Sequence, residues 1–275
     1  MSVNKDELLT KLHKLPSMPL VVQAVLSSFK DDNLDSNGLA HLLEQDQGLS
    51  AKVLRVANSS FYGLPRSIAS IQEAVVVMGF NSVRSLVLSA GIVHAFPSTP
   101  GSLFDRQAYW RRCFRVAGYA KALARSLGQD QEVAFTAAMF HEIGQLVLDA
   151  SAPEQFSRAF QVRDRSGLSL IEAEQAEFGF DHAAIGADLA SHWNFPAEIE
   201  HAIRYWRTPE REPFEGTTGL VHVAVLLESG VTGDDLMSQL PKKLRDRLGI
   251  SWERIEAGLP DTNDLDADTN LILAP

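Results

Sequence analysis

A histidine followed directly by a glutamate, His141-Glu142, lies within an apolar run from Ala137 to Leu148. An imidazole and a carboxylate are costly to bury unless they have partners. The pair therefore indicates either a polar site that faces the protein interior or the remnant of one. A zinc-protease site would need a second histidine one helical turn later, so that both imidazoles project from the same helix face. Position 145 is Gln145, and that interpretation fails.

The other histidines do not complete a local metal site. No two of the eight histidines are three or four residues apart, so no helix carries a ready-made pair of imidazole ligands. Any metal site would have to be assembled from distant segments. A lone histidine on an apolar helix is more often structural, with its nitrogens bonded to the backbone or to a nearby carboxylate.

Composition is typical of a globular protein, with 45 % hydrophobic and 22 % charged residues in a chain of 275. The formal charge of −10 repels phosphate backbones, so we do not expect nucleic acid as a partner. The single cysteine, Cys113, excludes an intrachain disulfide and a thiolate metal cluster. Charges between Met1 and Lys14 argue against a signal peptide, and no long apolar run predicts a membrane span. We therefore expect a cytoplasmic protein without membrane contact.

The spacing of apolar residues is helical almost throughout, which predicts an all-α fold. In the first half, helices are predicted after Pro19, with Ser36 and Asn81 as N-caps and a structural turn at residues 58–60. Proline, serine, threonine and glycine cluster from Pro97 to Gly101. This cluster is the predicted boundary between two helical lobes.

The second half contains the segments that must position the polar pair. A long amphipathic helix carries Trp110 and Cys113 on its apolar face and ends near Gly128. The His141-Glu142 pair is expected inside one continuous helix from Glu132 to Ala150. Further helices are predicted over residues 153–166, 169–178, 182–193, 199–206, 236–248 and 251–259. Residues 220–227 have the composition of a buried strand, but their setting among helices favours a helix. Residues 261–275 are acidic and are expected to form a mobile tail.

Five segments occur in the order and with the spacing of one known family. They are Leu15-Pro16-Ser17-Met18-Pro19, Asn58 to Gly63, Ile71 through Ala74 to Phe80, Phe140 to Gly144, and Glu177 to His182 followed by Ala183, Gly186, Leu189, Trp193 and Pro196. Together they resemble the HDOD domain, a relative of the HD phosphohydrolases, over residues 15–227. The resemblance implies an HD-domain-like helical bundle (102–227) with an N-terminal helical lobe (15–97). Residues 1–14 would form an N-terminal helical extension, and 228–260 would form short C-terminal helices.

The resemblance also implies where a catalytic relative would bind metal. HD hydrolases hold one or two divalent metals with an early histidine, a His-Asp pair, often further histidines and a late aspartate, and the metal activates a water that attacks phosphorus. In this chain the helix around Arg112 has no histidine, and the pair is His141-Glu142. His182 matches the family histidine. The family's later ligand positions are expected at Tyr205-Trp206 and Val225, none of which can bind a metal as those ligands do.

Only His141 and His182 remain as intact ligands, with Glu142 in doubt. Loss of an outer-shell partner alone typically lowers metal affinity or activity roughly 10- to 100-fold, so loss of two or three ligands should abolish metal binding. We therefore expect no catalytic residues, no metal and no other cofactor. If a metal does bind, the residual ligands are His141, Glu142 and His182.

Three arginines on the helix that would carry the early ligand, Arg111, Arg112 and Arg115, could bind a phosphate or another anion instead. Basic residues on the polar face of a surface helix are usually only solvated, which is the simpler interpretation.

Two functions follow from the resemblance. The first is a non-catalytic bacterial signal-transduction and regulatory module that contacts signalling proteins in trans and can hold a small nucleotide ligand in the vestigial cleft. The Phe61-Tyr62 loop or the C-terminal helices would contact those partners. The alternative is a metal-dependent phosphohydrolase or phosphodiesterase that acts on nucleotides or cyclic nucleotides. The missing ligands favour the module.

Overall fold

A computed structural model describes residues 19–29, 34–59, 66–96 and 102–273, together with Lys5 and Leu8. Every regular element in these ranges is a helix, which confirms the all-α expectation. Four predicted features lie wholly or largely outside the described residues. They are the N-terminal extension over residues 1–14, the first four residues of the motif that begins at Leu15, the Phe61-Tyr62 loop and the lobe boundary at Pro97–Gly101.

The described part of the first half contains α1 Leu20–Ser27, α2 Ser36–Glu44, α3 Gln47–Ala57, α4 Ile71–Met78 and α5 Phe80–Ala95. Two predicted caps are wrong, the first by one residue and the second by two. Asp35, rather than Ser36, caps α2 with its carboxylate. Helix α5 begins at Phe80 instead of after Asn81, because Gly79 turns the chain with a φ of 84° that other residues rarely adopt.

The polar turn after α3 is structural, as predicted. The Asn58 side-chain amide donates to the carbonyl oxygens of Leu54 and Ile68 at 2.8 and 2.9 Å, and its oxygen accepts from the Ile68 N–H at 2.7 Å. These bonds satisfy the end of α3 and hold the segment that leads into α4.

The second half contains α6 Arg106–Leu127, α7 Gln131–Phe140, α8 Gly144–Ser151, α9 Pro153–Ser166, α10 Leu170–Phe178, α11 His182–His192, α12 Ala197–Tyr205 and α13 Gly216–Glu228. The long helix α6 packs against both α7 and α13. Helix α11 packs against α8 and α12, and α12 also contacts α7 and α13. This packing brings the α7–α8 connection and the start of α11 close to the side of α6.

The expected single helix over residues 132–150 is instead two helices, α7 and α8, and residues 141–143 form a tight turn between them. In this turn the N–H of Ile143 donates to Phe140 at 3.0 Å and that of Gln145 donates to Glu142 at 2.9 Å. Because these bonds span three residues rather than four, the backbone tightens here. The sequence did not reveal the turn, since the residues on both sides of it are buried.

The chain ends in four further helices, α14 Gly233–Gln239, α15 Lys242–Leu248, α16 Trp252–Glu256 and α17 Thr262–Leu273. The single helical piece expected over 236–248 is therefore two helices, α14 and α15. The expectation of a mobile acidic tail is also wrong, because α17 packs against α6 and α3. Leu265 is 3 % exposed and lies so close to Gly118 that a Cβ there would be 2.3 Å from the Leu265 Cδ2.

Buried apolar side chains from both halves form one continuous core. No single helix in the described ranges is long and apolar enough to span a membrane. Helix α4 and the first part of α5 meet that test only as a pair, and they are bent by 119°.

Candidate functional site

The elements that carry the polar pair meet at a cleft of about 700 Å³. Helix α6 contributes Arg112, the turn between α7 and α8 contributes Glu142, the start of α11 contributes His182, and the end of α12 contributes Trp206. Four of the seven vestigial positions proposed from the sequence therefore line one cleft.

The other three positions do not line the cleft. His141 is fully buried, and its ring meets the Trp206 ring edge-on at 5.2 Å. Tyr205 packs against a histidine ring of its own helix at 4.7 Å. Val225 is buried in α13, and the acidic residue of that helix that approaches the site is Glu228, three positions further on. The late-ligand position assigned to Val225 therefore supplies nothing to the cleft.

His141 is held by a backbone carbonyl. Its Nδ1 lies 2.6 Å from the Ala138 oxygen, and since a carbonyl only accepts, Nδ1 must donate. Burial lowers the pKa of His141 to about 4, so the ring is neutral near pH 7. Its Nε2 has no hydrogen-bond partner in the described part of the chain.

His182 is tied to Glu174 of α10, a residue that the sequence analysis missed. The Glu174 Oε2 accepts from the His182 backbone N–H at 2.8 Å and faces its Nδ1 at 2.7 Å. Burial opposes protonation of His182, but the Glu174 carboxylate outweighs it and raises the pKa. No clear signal for it exists in the sequence, because α10 contains three glutamates, Glu172, Glu174 and Glu177, and only the fold shows that Glu174 is the buried one. Such a residue needs a partner, but the partner cannot be read from spacing.

Glu142 is neutralised by Arg112. The Arg112 Nη1 lies 3.0 and 3.1 Å from the two carboxylate oxygens, and the Glu142 side chain is only 5 % exposed. Burial by itself raises the pKa of Glu142, but the charges of His141, when protonated, and of Arg112 outweigh it, and the pKa is lowered. A buried carboxylate therefore persists in its charged form because an arginine lies against it.

A chain of ion pairs continues from this contact to the C-terminal helix. Arg112 also reaches Glu228 of α13 at 3.3 Å, Glu228 lies 3.5 Å from Arg115, and Arg115 binds Asp266 of α17 at 2.6 and 2.7 Å. Two of the three arginines proposed for anion binding, Arg112 and Arg115, are thus occupied by carboxylates. The third, Arg111, does not line the cleft.

The residues at the cleft do not fit the divalent metal of the HD hydrolases. Among the described residues, no group of three or more His, Cys, Asp or Glu side chains is placed to hold a metal ion. Both Glu142 oxygens contact Arg112, whose charge would repel a cation placed beside that carboxylate. The arginine supplies the positive charge that a metal would otherwise bring.

The comparison with known families identifies the fold that carries this cleft. Residues 15–209 match the HDOD domain. The chain belongs to the HDOD domain family. This confirms the resemblance found in the five sequence segments, and it places Arg112, Glu142, His182 and Trp206 within the HDOD domain. Helices α13 to α17 lie beyond the matched residues.

Solved structures support the same fold. An HDOD domain protein of unknown function from Geobacter sulfurreducens is 25 % identical, with a TM-score of 0.82 over 98 % of this chain and 97 % of that one. A protein from Shewanella amazonensis SB2B, named provisionally as a phosphohydrolase, is 27 % identical, with a TM-score of 0.70 over 96 % of each chain.

An uncharacterized protein from Treponema pallidum is a curated relative that is 22 % identical over 256 residues. The match covers 90 % of this chain and 47 % of that curated relative, so the chain spans about half its length.

We expect the buried His141 to make the stability of this protein depend on pH in acid. The folded state binds its proton only near pH 4, whereas the unfolded chain binds it near pH 6.5. Stability should therefore fall as the pH drops through this window, by on the order of 1–3 kcal/mol. His182 has the opposite effect. Because its pKa is raised in the folded state, its protonation stabilises the protein at low pH, and this stabilisation is lost as the pH rises through the folded pKa.

Urea unfolding measured across this pH range tests the expectation. His141→Asn keeps a side-chain N–H for the Ala138 carbonyl and should flatten the acid limb of the profile. His41→Asn changes an exposed histidine on α2 and is the matched control. A His141→Asn profile parallel to that of the wild type would contradict the assignment.

Proposed function

We propose that this HDOD protein is a non-catalytic bacterial signal-transduction module that acts through contacts with other proteins, and that its vestigial cleft binds a small ligand. The observation that carries the proposal is the contact between Arg112 and Glu142. In an HD hydrolase the corresponding region holds a metal that lowers the pKa of a bound water. Here the same carboxylate is already paired with a fixed positive charge.

Without that metal, the described residues of the cleft lack a group that could activate a water molecule for hydrolysis. Attack on phosphorus needs a hydroxide-like nucleophile near neutral pH, and a histidine whose pKa is about 4 is a weak general base. His182 faces the Glu174 carboxylate, which raises its pKa and favours the protonated ring, and a protonated imidazole cannot accept a further proton. The cleft is therefore better suited to holding a ligand than to cleaving one.

Partners in trans are the second part of the proposal. The ion pairs that run from Glu142 to Asp266 end on α17, so a change at the cleft can reach a surface helix outside the matched HDOD residues. That helix contacts both α6 of the second half and α3 of the first. We propose this C-terminal region as the part that signalling proteins contact.

A metal-dependent phosphohydrolase acting on nucleotides or cyclic nucleotides is the competing proposal. Two observations favour it. The Nε2 atoms of both His141 and His182 lack hydrogen-bond partners in the described ranges, and the Shewanella amazonensis relative carries a phosphohydrolase name. With Glu142 these two histidines would be the residual ligands.

Metal content and activity measured on one preparation separate the two proposals. We expect less than stoichiometric Mn, Fe, Ni and Zn, and no cleavage of nucleotides or cyclic nucleotides above that of a His141→Ala control. Stoichiometric metal together with turnover that His141→Ala abolishes would overturn the non-catalytic module and establish the hydrolase.

A further inference from the structure

The cleft wall contains buried polar atoms that the protein itself leaves unsatisfied. The Trp206 Nε1 and the His182 Nε2 have no hydrogen-bond partner among the described residues, although the two residues are only 6 % and 2 % exposed. His182 lines the cleft and uses its Nδ1 for Glu174, so Nε2 is the ring nitrogen that remains for a ligand. Leaving such atoms unpaired is costly. The Trp206 Nε1 only donates, so an acceptor from a bound ligand would remove the cost there, and the His182 Nε2 would pair with a polar group of the same ligand.

Arg207 gives this part of the cleft its charge. It is exposed, lines the cleft, and has its guanidinium 5.5 Å from the centre of the Trp206 ring. It forms no ion pair within the described part of the chain, whereas the other arginines of the cleft, Arg112 and Arg163, face Glu142 and Asp164. An indole N–H only donates and a guanidinium only donates, so their shared ligand must present acceptors with negative charge.

Aromatic rings line another part of the same cleft. Phe104 lies 5.3 Å from Tyr109 and 6.2 Å from Phe160, and the planes of the two phenylalanines are only 23° apart. These three rings provide an apolar surface suited to a flat ring. A volume of about 700 Å³ is within the range of pockets that hold a ligand of nucleotide size.

We infer that the cleft binds a small molecule that combines a planar ring with a phosphate group, of which a nucleoside monophosphate is the simplest. Its phosphate would be held by the Trp206 N–H, Arg207 and His182, and its ring would lie against Phe104 and Phe160. The inference rests on the proposed function, in which the cleft holds a ligand. It moves the anion site away from Arg111, Arg112 and Arg115, and towards a residue that the sequence analysis did not single out, Arg207.

Calorimetric titration of the full chain with AMP, GMP, CMP and UMP tests the inference, with inorganic phosphate and adenosine as partial ligands. We expect at least one monophosphate to bind more tightly than either partial ligand. Trp206→Phe removes the indole N–H but keeps a ring against His141, and Arg207→Gln removes an exposed charge, so both variants should fold. Each should weaken binding about tenfold.

The chain offers a matched control in Arg211→Gln. Arg211 also lies over a ring, 4.2 Å from the centre of Tyr205, but it does not line the cleft, so its loss should leave binding unchanged. The inference is overturned if no monophosphate binds, if adenosine binds as tightly as AMP, or if Trp206→Phe and Arg207→Gln bind like the wild type.

Phosphorus NMR on the same samples keeps this inference distinct from the proposed function. An unchanged nucleotide spectrum after long incubation agrees with ligand binding by a non-catalytic module. Release of inorganic phosphate would overturn the proposed function, while the tighter binding and its dependence on Trp206 and Arg207 would still stand. Absence of binding without hydrolysis would overturn only the ligand assignment.

Discussion

Arg112→Met should lower the free energy of unfolding by about 2–4 kcal/mol, because it leaves the Glu142 carboxylate buried without its partner. The lower part of that range allows for the Arg112 side chain, which is 37 % exposed and partly screened by water. Methionine replaces most of the aliphatic packing, so the charge is the main change. Urea unfolding near pH 7 measures the loss.

A double variant separates charge from packing. Arg112→Met combined with Glu142→Gln has no unpaired buried charge and should recover most of the lost stability. Arg111→Met is the matched control, since its charge acts on Asp266 of α17 rather than on Glu142. If the double variant is no more stable than Arg112→Met alone, packing rather than charge explains the loss.

The contribution of the Arg112–Glu142 pair to stability also depends on pH. In the wild type the lowered pKa of Glu142 contributes stability above the unfolded value of 4.5, and this contribution is lost as the pH falls through the folded pKa. Arg112→Met removes one of the charges that lower the pKa of Glu142, so in the variant the carboxyl is protonated at a higher pH than in the wild type. The difference in stability between wild type and variant should therefore shrink below about pH 4.5.

Gly144→Ala should be among the most damaging single-methyl changes in the protein, with a loss of about 3 kcal/mol or more. A Cβ at Gly144 would lie 1.9 Å from the His182 carbonyl oxygen, 2.7 Å from its carbon and 2.9 Å from the Gly186 nitrogen. All three are backbone atoms, so no side chain can move aside. Helices α8 and α11 would have to separate, and His182 would shift with them.

Alanine substitutions at two further glycines serve as comparisons for Gly144→Ala. A Cβ at Gly186 would have the Gly144 nitrogen as its nearest neighbour, at 3.0 Å, so Gly186→Ala should lower the stability less than Gly144→Ala does. Gly48→Ala in α3 meets only an Asp46 oxygen at 3.5 Å and should be neutral or slightly stabilising, since alanine favours helix. The midpoint of thermal unfolding should be lowest for Gly144→Ala, higher for Gly186→Ala and highest for Gly48→Ala. Any other order would contradict the close approach of α8 and α11.

Local sequence patterns were sufficient for most of the helices. Apolar spacing placed α9, α10 and α11 within one residue of each end, because each has a clear polar face or cap. They were not sufficient for the turn at His141-Glu142, since both flanking segments are buried and their apolar pattern continues without a break. They also misjudged α17, where composition concealed a few apolar contacts such as that of Leu265 with Gly118.

The sequence likewise predicted some residues of the candidate site and missed others. Family motifs pointed to Arg112, Glu142, His182 and Trp206, which the fold brings to one cleft. They did not point to Glu174 or Arg207, because neither belongs to a motif. Their roles arise from contacts across helices, and spacing along one helix says nothing about those contacts.

By itself, the sequence determined the helical class, the HDOD family and the absence of a two-histidine helical zinc motif, because these depend on local periodicity and on residue identity. Only the tertiary structure decided what replaces the missing ligands. It placed Arg112 against Glu142, which is 30 residues away in the chain, and Glu174 against His182. The physical reason is burial. The folded core removes these carboxylates from water, and each must then find a positive or hydrogen-bonding partner wherever the packing of the helices provides one.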